Sequence, residues 1–196
     1  MPGMPSSSDQ YQTPRRVLRP GTTVEDVDAF AQLLRWPVAE VTERDRAAGT
    51  DGRVTWRGDG PAALHYLEDA MFGIGHYVVS GPRAAAEDTA AQAAEALDAF
   101  TVKELCAAVD EAPDARARGQ ATVWLGLAAG GDDDADARSR LAVALTDREA
   151  LVRYAALFAV AYAGAAPFAA TIRKMAEGDP EPRVRDRAAE LLRDAR

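Results

Sequence analysis

The spacing of apolar positions changes character along the chain. From Thr22 it has a helical period: Val24, Val27, Phe30, Ala31, Leu33 and Leu34 recur on one face. Thr22 or Thr23 offers an N-cap hydroxyl, and Glu25 and Asp26 occupy the first turn, where the helix dipole favours carboxylates. Pro37 ends or kinks that helix, and residues 38–48 read as a second helical stretch closing near Gly49. The period then drops to two. Arg53-Val54-Thr55-Trp56-Arg57 alternates, Gly58-Asp59-Gly60-Pro61 is a turn, and residues 63–68 and 74–80 supply two more extended stretches. Tyr77, Val78 and Val79 favour strand. These features predict a three-stranded antiparallel meander over residues 53–80.

Beyond Pro82 the pattern is helical throughout. Gly, Pro and Asp punctuation divides it into helices over residues 83–100, 102–109, 114–129, 132–145, 149–163, 168–177 and 180–193. Two of these segments repeat. Asp147-Arg148-Glu149-Ala150-Leu151-Val152-Arg153-Tyr154-Ala155-Ala156-Leu157 aligns with Asp179-Pro180-Glu181-Pro182-Arg183-Val184-Arg185-Asp186-Arg187-Ala188-Ala189 at an offset of 32 residues. Ala117-Arg118-Gly119-Gln120-Ala121 is a weaker copy, 35 residues before Val152. Asp147 and Asp179 are placed to cap the helices that follow them. Arg153 and Arg185 each lie six residues after that Asp, so in a stack the arginine of one unit can reach the Asp of its neighbour. These four residues are read as a structural ladder.

The Asp-Pro-Glu-Pro-x-Val-Arg-x-x-Ala-Ala run over residues 179–189 resembles the HEAT-like repeat of the phycobilisome lyase repeat family, over roughly residues 102–196. The resemblance implies helix pairs that stack because none can bury its apolar face alone. The expected fold is therefore mainly α: a short HEAT-like α-solenoid with an N-terminal helix and a small β-meander. Residues 1–20 are expected to be a flexible tail, 21–100 an α+β region, and 101–196 the helical repeats.

Charge narrows the function. The formal net charge is −8 and the sequence pI about 4.8, which disfavours nucleic acid, whose binding depends on cations that neutralise phosphates. Cys106 is the single cysteine, so no intramolecular disulfide or cysteine-only metal site can form. Residues 1–20 lack the apolar core of a signal peptide. The longest apolar run, residues 154–170, is broken by Gly164 and Pro167 and reads as two buried helices rather than a membrane span. A cytoplasmic protein is expected, and the Ala, Arg, Asp and Gly bias suggests a GC-rich bacterial genome.

Candidate chemistry is thin. His65 and His76 with Glu68 or Asp69 have no metal-ligand spacing. Asp132-Asp133-Asp134-Ala135-Asp136 lacks the Gly and Glu of an EF-hand loop, offering Ala137 and Val143 at those positions. Gly73-Ile74-Gly75 does not continue into a dinucleotide loop, Cys106 reads as a small buried hydrophobe, and Ser80 has no nucleophile-elbow context. No catalytic, metal-binding or cofactor-binding residue is assigned. The expected function is a non-catalytic protein–protein interaction module, an adaptor or an immunity-type inhibitor of a partner protein. Trp56 and Phe72, beside turns, are candidate interface anchors if exposed, although a core position is the leading reading for both. Arg138, Arg140, Arg173 and Lys174 are candidates on the concave face of the stack. The alternative is a ligand-binding or lyase-like enzyme on the same scaffold, with a tetrapyrrole role implied only by the family resemblance. A third reading gives the meander the function, by adding a strand to a partner through its edge.

Overall fold

The structure is a computed structural model and describes residues 11–129 and 135–194. The chain divides into two compact units between Phe100 and Thr101.

The first unit is a six-stranded antiparallel sheet with two helices. In chain order its elements are β1 (Tyr11–Gln12), β2 (Arg16–Val17), α1 (Val24–Leu33), β3 (Val38–Thr42), β4 (Gly52–Arg57), β5 (Ala63–Glu68), β6 (Gly75–Gly81) and α2 (Arg83–Ala96). The sheet order is β1-β6-β5-β4-β3, and β2 also pairs with β6. Alternation sorts the side chains between two faces. Val54, Trp56, Leu64, Tyr66, Tyr77 and Val79 join Val27, Phe30 and Ala31 of α1 and Ala86 and Ala93 of α2 in one core. Trp56 is 1% exposed, and its indole Nε1 donates to Asp28 Oδ1 of α1 at 2.7 Å. Arg53, Thr55, Arg57, His65, His76, Val78 and Ser80 carry the opposite parity and point to the other face.

The second unit holds α3 (Val102–Asp110), α4 (Ala115–Ala128), α5 (Ala135–Ala144), α6 (Ala150–Ala163), a short 3-10 turn (Ala166–Phe168), α7 (Ala169–Gly178) and α8 (Pro182–Asp194). Helices α4, α6 and α8 pack in succession as one row; α3 lies against α4, and α7 against α8. Small residues set the closest approach in that row, and a Cβ at Gly126 would overlap the Cα and carbonyl oxygen of Ala159. Thr101 caps α3 through a capping box with Glu104, and Asp114 caps α4 by accepting from Ala117 N–H at 2.8 Å.

Arginines tie the row together. Arg153 donates from Nε and a terminal nitrogen to both carboxylate oxygens of Asp179, each at 2.7 Å, and also to the carbonyls of Asp147 and Arg148. Arg118 Nε stands 3.1 Å from Asp147 Oδ2, close enough for an ion pair but not aligned as a hydrogen bond. Arg185 repeats the carbonyl contacts of Arg153, donating to Asp179 and Pro180 at 2.6 and 3.3 Å. Asp147 and Asp179 also accept from the N–H groups of Glu149 and Glu181, which shapes the turn into each helix. The Arg153 hydrogen bonds hold the Asp179 carboxyl below its ordinary pKa.

This architecture corrects the expected mainly α solenoid. The chain is 54% helix and 18% strand, and its N-terminal unit is built on a six-stranded sheet, not a three-stranded meander added to a helical stack. Residues 38–48 do not form a helix. Helix α1 stops at Leu33, Arg35 turns the chain at a φ of 58°, and Pro37 leads into β3, whose β-branched Val38, Val41 and Thr42 suit a strand. Asp45 and Thr50 then bridge across the turn into β4. Residues 11–17 are not tail: Thr13 N–H donates to the Val79 carbonyl, Thr13 Oγ1 accepts from Val79 N–H, and Val17 is fully buried. The helix expected over residues 83–100 ends at Ala96, and Ala99 bridges Leu18. Residues 1–10 of the expected tail, and Asp132, Asp133 and Asp134 of the acidic stretch, lie outside the described residues.

Candidate functional site

Strand β3 forms one end of the sheet, and among the described residues its sheet neighbour is β4 alone. An edge strand leaves backbone N–H and C=O groups along its outer side that another strand can bond. At the opposite end of the sheet β1 is two residues long, so β3 is the longer edge.

A β-bulge between Val38 and Glu40 gives this edge its chemistry. In a regular strand Val38 and Val41 would point to opposite faces. The extra residue restores their parity: Val38 lies opposite Trp56 and Val41 opposite Val54, so both stand on the face that carries the core. Further in, that face is covered by α1 and α2. At β3 it is open, and Val38 and Val41 are 49% and 61% exposed.

The β3–β4 turn meets the β5–β6 turn at one end of the sheet. Arg44 donates to Glu68 Oε1 at 2.8 Å and to the Ala70 carbonyl at 3.0 and 3.3 Å, while Asp51 accepts from Ala70 N–H at 2.7 Å. Asp69 accepts from Phe72 N–H at 2.6 Å. Gly73 sits at a φ of 67°, and a Cβ there would also press on the Arg44 guanidinium. This polar clamp presents Met71 and Phe72 on an ordered turn, each 45% exposed.

The residues singled out by sequence scatter. Trp56 is in the core and cannot serve as an exposed anchor; β4 is an inner strand, and α1 covers it. Phe72 is at the clamped turn. Arg140 grips Asp110 through Nε and a terminal nitrogen at 2.7 to 3.1 Å, which ties α5 to α3. Arg138 is exposed on α5, and Arg173 and Lys174 are exposed on α7. Asp147, Arg153, Asp179 and Arg185 sit in the arginine contacts of the helical row. Sequence reasoning missed Val38, Val41 and Met71. The signal for the first two was Pro37 followed by Val-Ala-Glu-Val-Thr, a β-branched run that suits an edge strand better than a helix.

One polar chain crosses the other face of the sheet. His65 Nδ1 is 3.0 Å from Thr55 Oγ1, and His65 Nε2 is 2.7 Å from Ser80 Oγ. Burial, and then the charges of Arg53 and Arg57, push the His65 pKa below its ordinary value. In one tautomer Nδ1–H donates to Thr55 and Nε2 accepts the Ser80 hydroxyl. His76 is buried and bonded to the Ile74 carbonyl, and burial lowers its pKa too. Among the described residues no group of three or more His, Cys, Asp or Glu side chains is placed to hold a metal ion. Among them, too, no helix is long and apolar enough to cross a membrane.

Comparison with known proteins gives no relative: no family model, curated protein or solved structure matches this chain.

Proposed function

We propose that this chain is a protein-binding module that takes an extended segment of another protein alongside β3. The observation that carries this reading is the open edge strand whose bulge turns Val38 and Val41 onto one face, both exposed. Strand addition supplies affinity through the backbone ladder and specificity through alternate side chains. The segment would set apolar residues beside Val38 and Val41. Basic residues would suit the exposed Glu40 and Glu43 and the overall charge of −8. The helical unit, with its resemblance to HEAT-like pairs, would serve as a second scaffold in the same protein. An adaptor or an immunity-type inhibitor, working in a reducing cytoplasm, fits this reading.

The test compares three tagged forms at native expression in the host: the wild type, Val38→Lys/Val41→Lys, and a Leu151→Lys control on an exposed face of α6. A protein captured by the wild type and the control, and lost from the β3 variant at unchanged melting temperature, supports the proposal. Retention by the β3 variant overturns it.

An enzyme is the second reading, favoured by the Thr55–His65–Ser80 chain. A neutral His65 could take the Ser80 proton on Nε2 as the Ser80 oxygen bonds to an electrophilic acyl carbon, and then give that proton to the leaving group as its bond to that carbon breaks. A fluorophosphonate probe that labels Ser80, and fails to label His65→Gln, would support it. No labelling at millimolar probe would remove it.

A further inference from the structure

The helical unit carries an open groove of about 490 Å³ lined by Tyr154 of α6 and by Arg183, Asp186, Arg187, Glu190 and Arg193 of α8. The α8 positions follow helical spacing and share one face, opposite the buried Val184, Ala188 and Leu191. Arg187 is fixed in the groove. Its guanidinium carbon lies 4.3 Å from the centre of the Phe158 ring, and one terminal nitrogen donates to Glu190 at 2.6 Å. Tyr154 meets the same ring edge-on at 5.2 Å, so the wall is aromatic beneath a flat cation. Arg187 Nε is itself buried, and the side chain as a whole is 18% exposed. Arg183 and Arg193 are exposed and form no ion pair with the described residues.

We propose that this groove binds a glutamate- or aspartate-rich segment of a partner protein. Three arginines on one helix face, in a chain of net charge −8, are a local reversal of sign. Guanidinium forks match carboxylates in shape and charge. The two carboxylates in the lining choose the class of ligand. A nucleic-acid backbone offers only acceptors and leaves Asp186 and Glu190 without a donor. A peptide offers backbone N–H donors to those carboxylates and side-chain carboxylates to the arginines. The groove belongs to the second unit and does not depend on strand addition at β3.

The probe is an acetylated, amidated tetraglutamate peptide titrated into the full chain, with tetraglutamine and an eight-nucleotide oligothymidylate as comparisons. The readout is NMR of backbone amides and arginine Nε–H groups, which detects millimolar binding. The expected result is a saturable shift of Arg187 Nε–H and of α8 amides with tetraglutamate and none with tetraglutamine. Arg183→Gln/Arg193→Gln should weaken binding at least fivefold, with the melting temperature unchanged because both side chains are exposed. Val38→Lys/Val41→Lys should bind the peptide as the wild type does, so failure of the β3 reading and failure of this one are told apart. The proposal is overturned by no shift at 10 mM tetraglutamate, by equal binding of tetraglutamine, or by equal affinity in the arginine variant. Tighter binding of the oligonucleotide would replace the peptide with a polyanion and overturn it as well.

Discussion

In the sheet unit large side chains fill the interior: Trp56, Tyr77 and Leu64 lie beneath two helices, drawn there from strands and helices far apart in sequence. In the helical unit the row α4–α6–α8 closes on glycine and alanine, with Gly126 against Ala159 and with Ala156 and Ala188 fully buried. There a long polar side chain is structural as well. Arg153 is 9% exposed yet bonds one carboxylate and two backbone carbonyls. The difference follows from backbone geometry. A sheet face is broad and open, so bulky side chains must cover it. Helices whose small residues meet approach closely and leave turn carbonyls and aspartates at the row's end, where an arginine fork can bond them.

The comparison can be broken at its strongest points. Trp56→Ala should cost about 3–5 kcal/mol, the loss expected for emptying a buried aromatic site; urea unfolding followed by circular dichroism measures it. Arg153→Met should cost a similar amount, about 3–5 kcal/mol, because it leaves Asp179 buried without its partner. A nearly neutral variant would contradict a structural role for the Arg153–Asp179 pair. The double variant Arg153→Met/Asp179→Ala should recover only part of the loss, since Asp179 also bonds Glu181 N–H and Arg153 also bonds two carbonyls. Gly126→Ala should destabilise the helical unit by about 1–3 kcal/mol through overpacking, although alanine is the better helix former. Stabilisation on thermal unfolding would contradict the close α4–α6 contact.

Acid should separate the units with the smallest effect. His65 and His76 have folded pKa values below the ordinary imidazole value of about 6.5. Their contribution is present above that value and is lost as pH falls below it, because the unfolded chain takes up protons first. Asp179 has a folded pKa below the ordinary carboxylate value of about 3.9. Its contribution is present above that value and is lost as pH falls on through the depressed folded pKa. Wild type and Arg153→Met, compared by denaturant unfolding between pH 7 and 2, should converge only at the acid end. His65→Gln/His76→Gln should flatten the slope between pH 7 and 5.

Much of the helical unit is legible along the chain. The 32-residue offset that aligns Asp147 with Asp179 also places Arg153 to reach Asp179, and Thr101 and Asp114 mark helix starts. The candidate edge was legible only in part, through the β-branched residues after Pro37. Its Val38 and Val41 are three residues apart, a spacing that fits a helix as well as a bulged strand. Phe72 stood out beside glycines, but the clamp that orders its turn joins Arg44 and Asp51 to residues some twenty positions away.

Alone, the sequence determined what depends on neighbours within a few turns: helix periods and caps, alternation over residues 53–57, the repeat register and the acidic charge. Only the tertiary structure decided that residues 11–17 join β6 and that β3 is an edge with both valines on one face. Those outcomes depend on which distant strand supplies the hydrogen-bonding partner and where the covering helices end. A strand carries the same local signal at the centre of a sheet as at its margin.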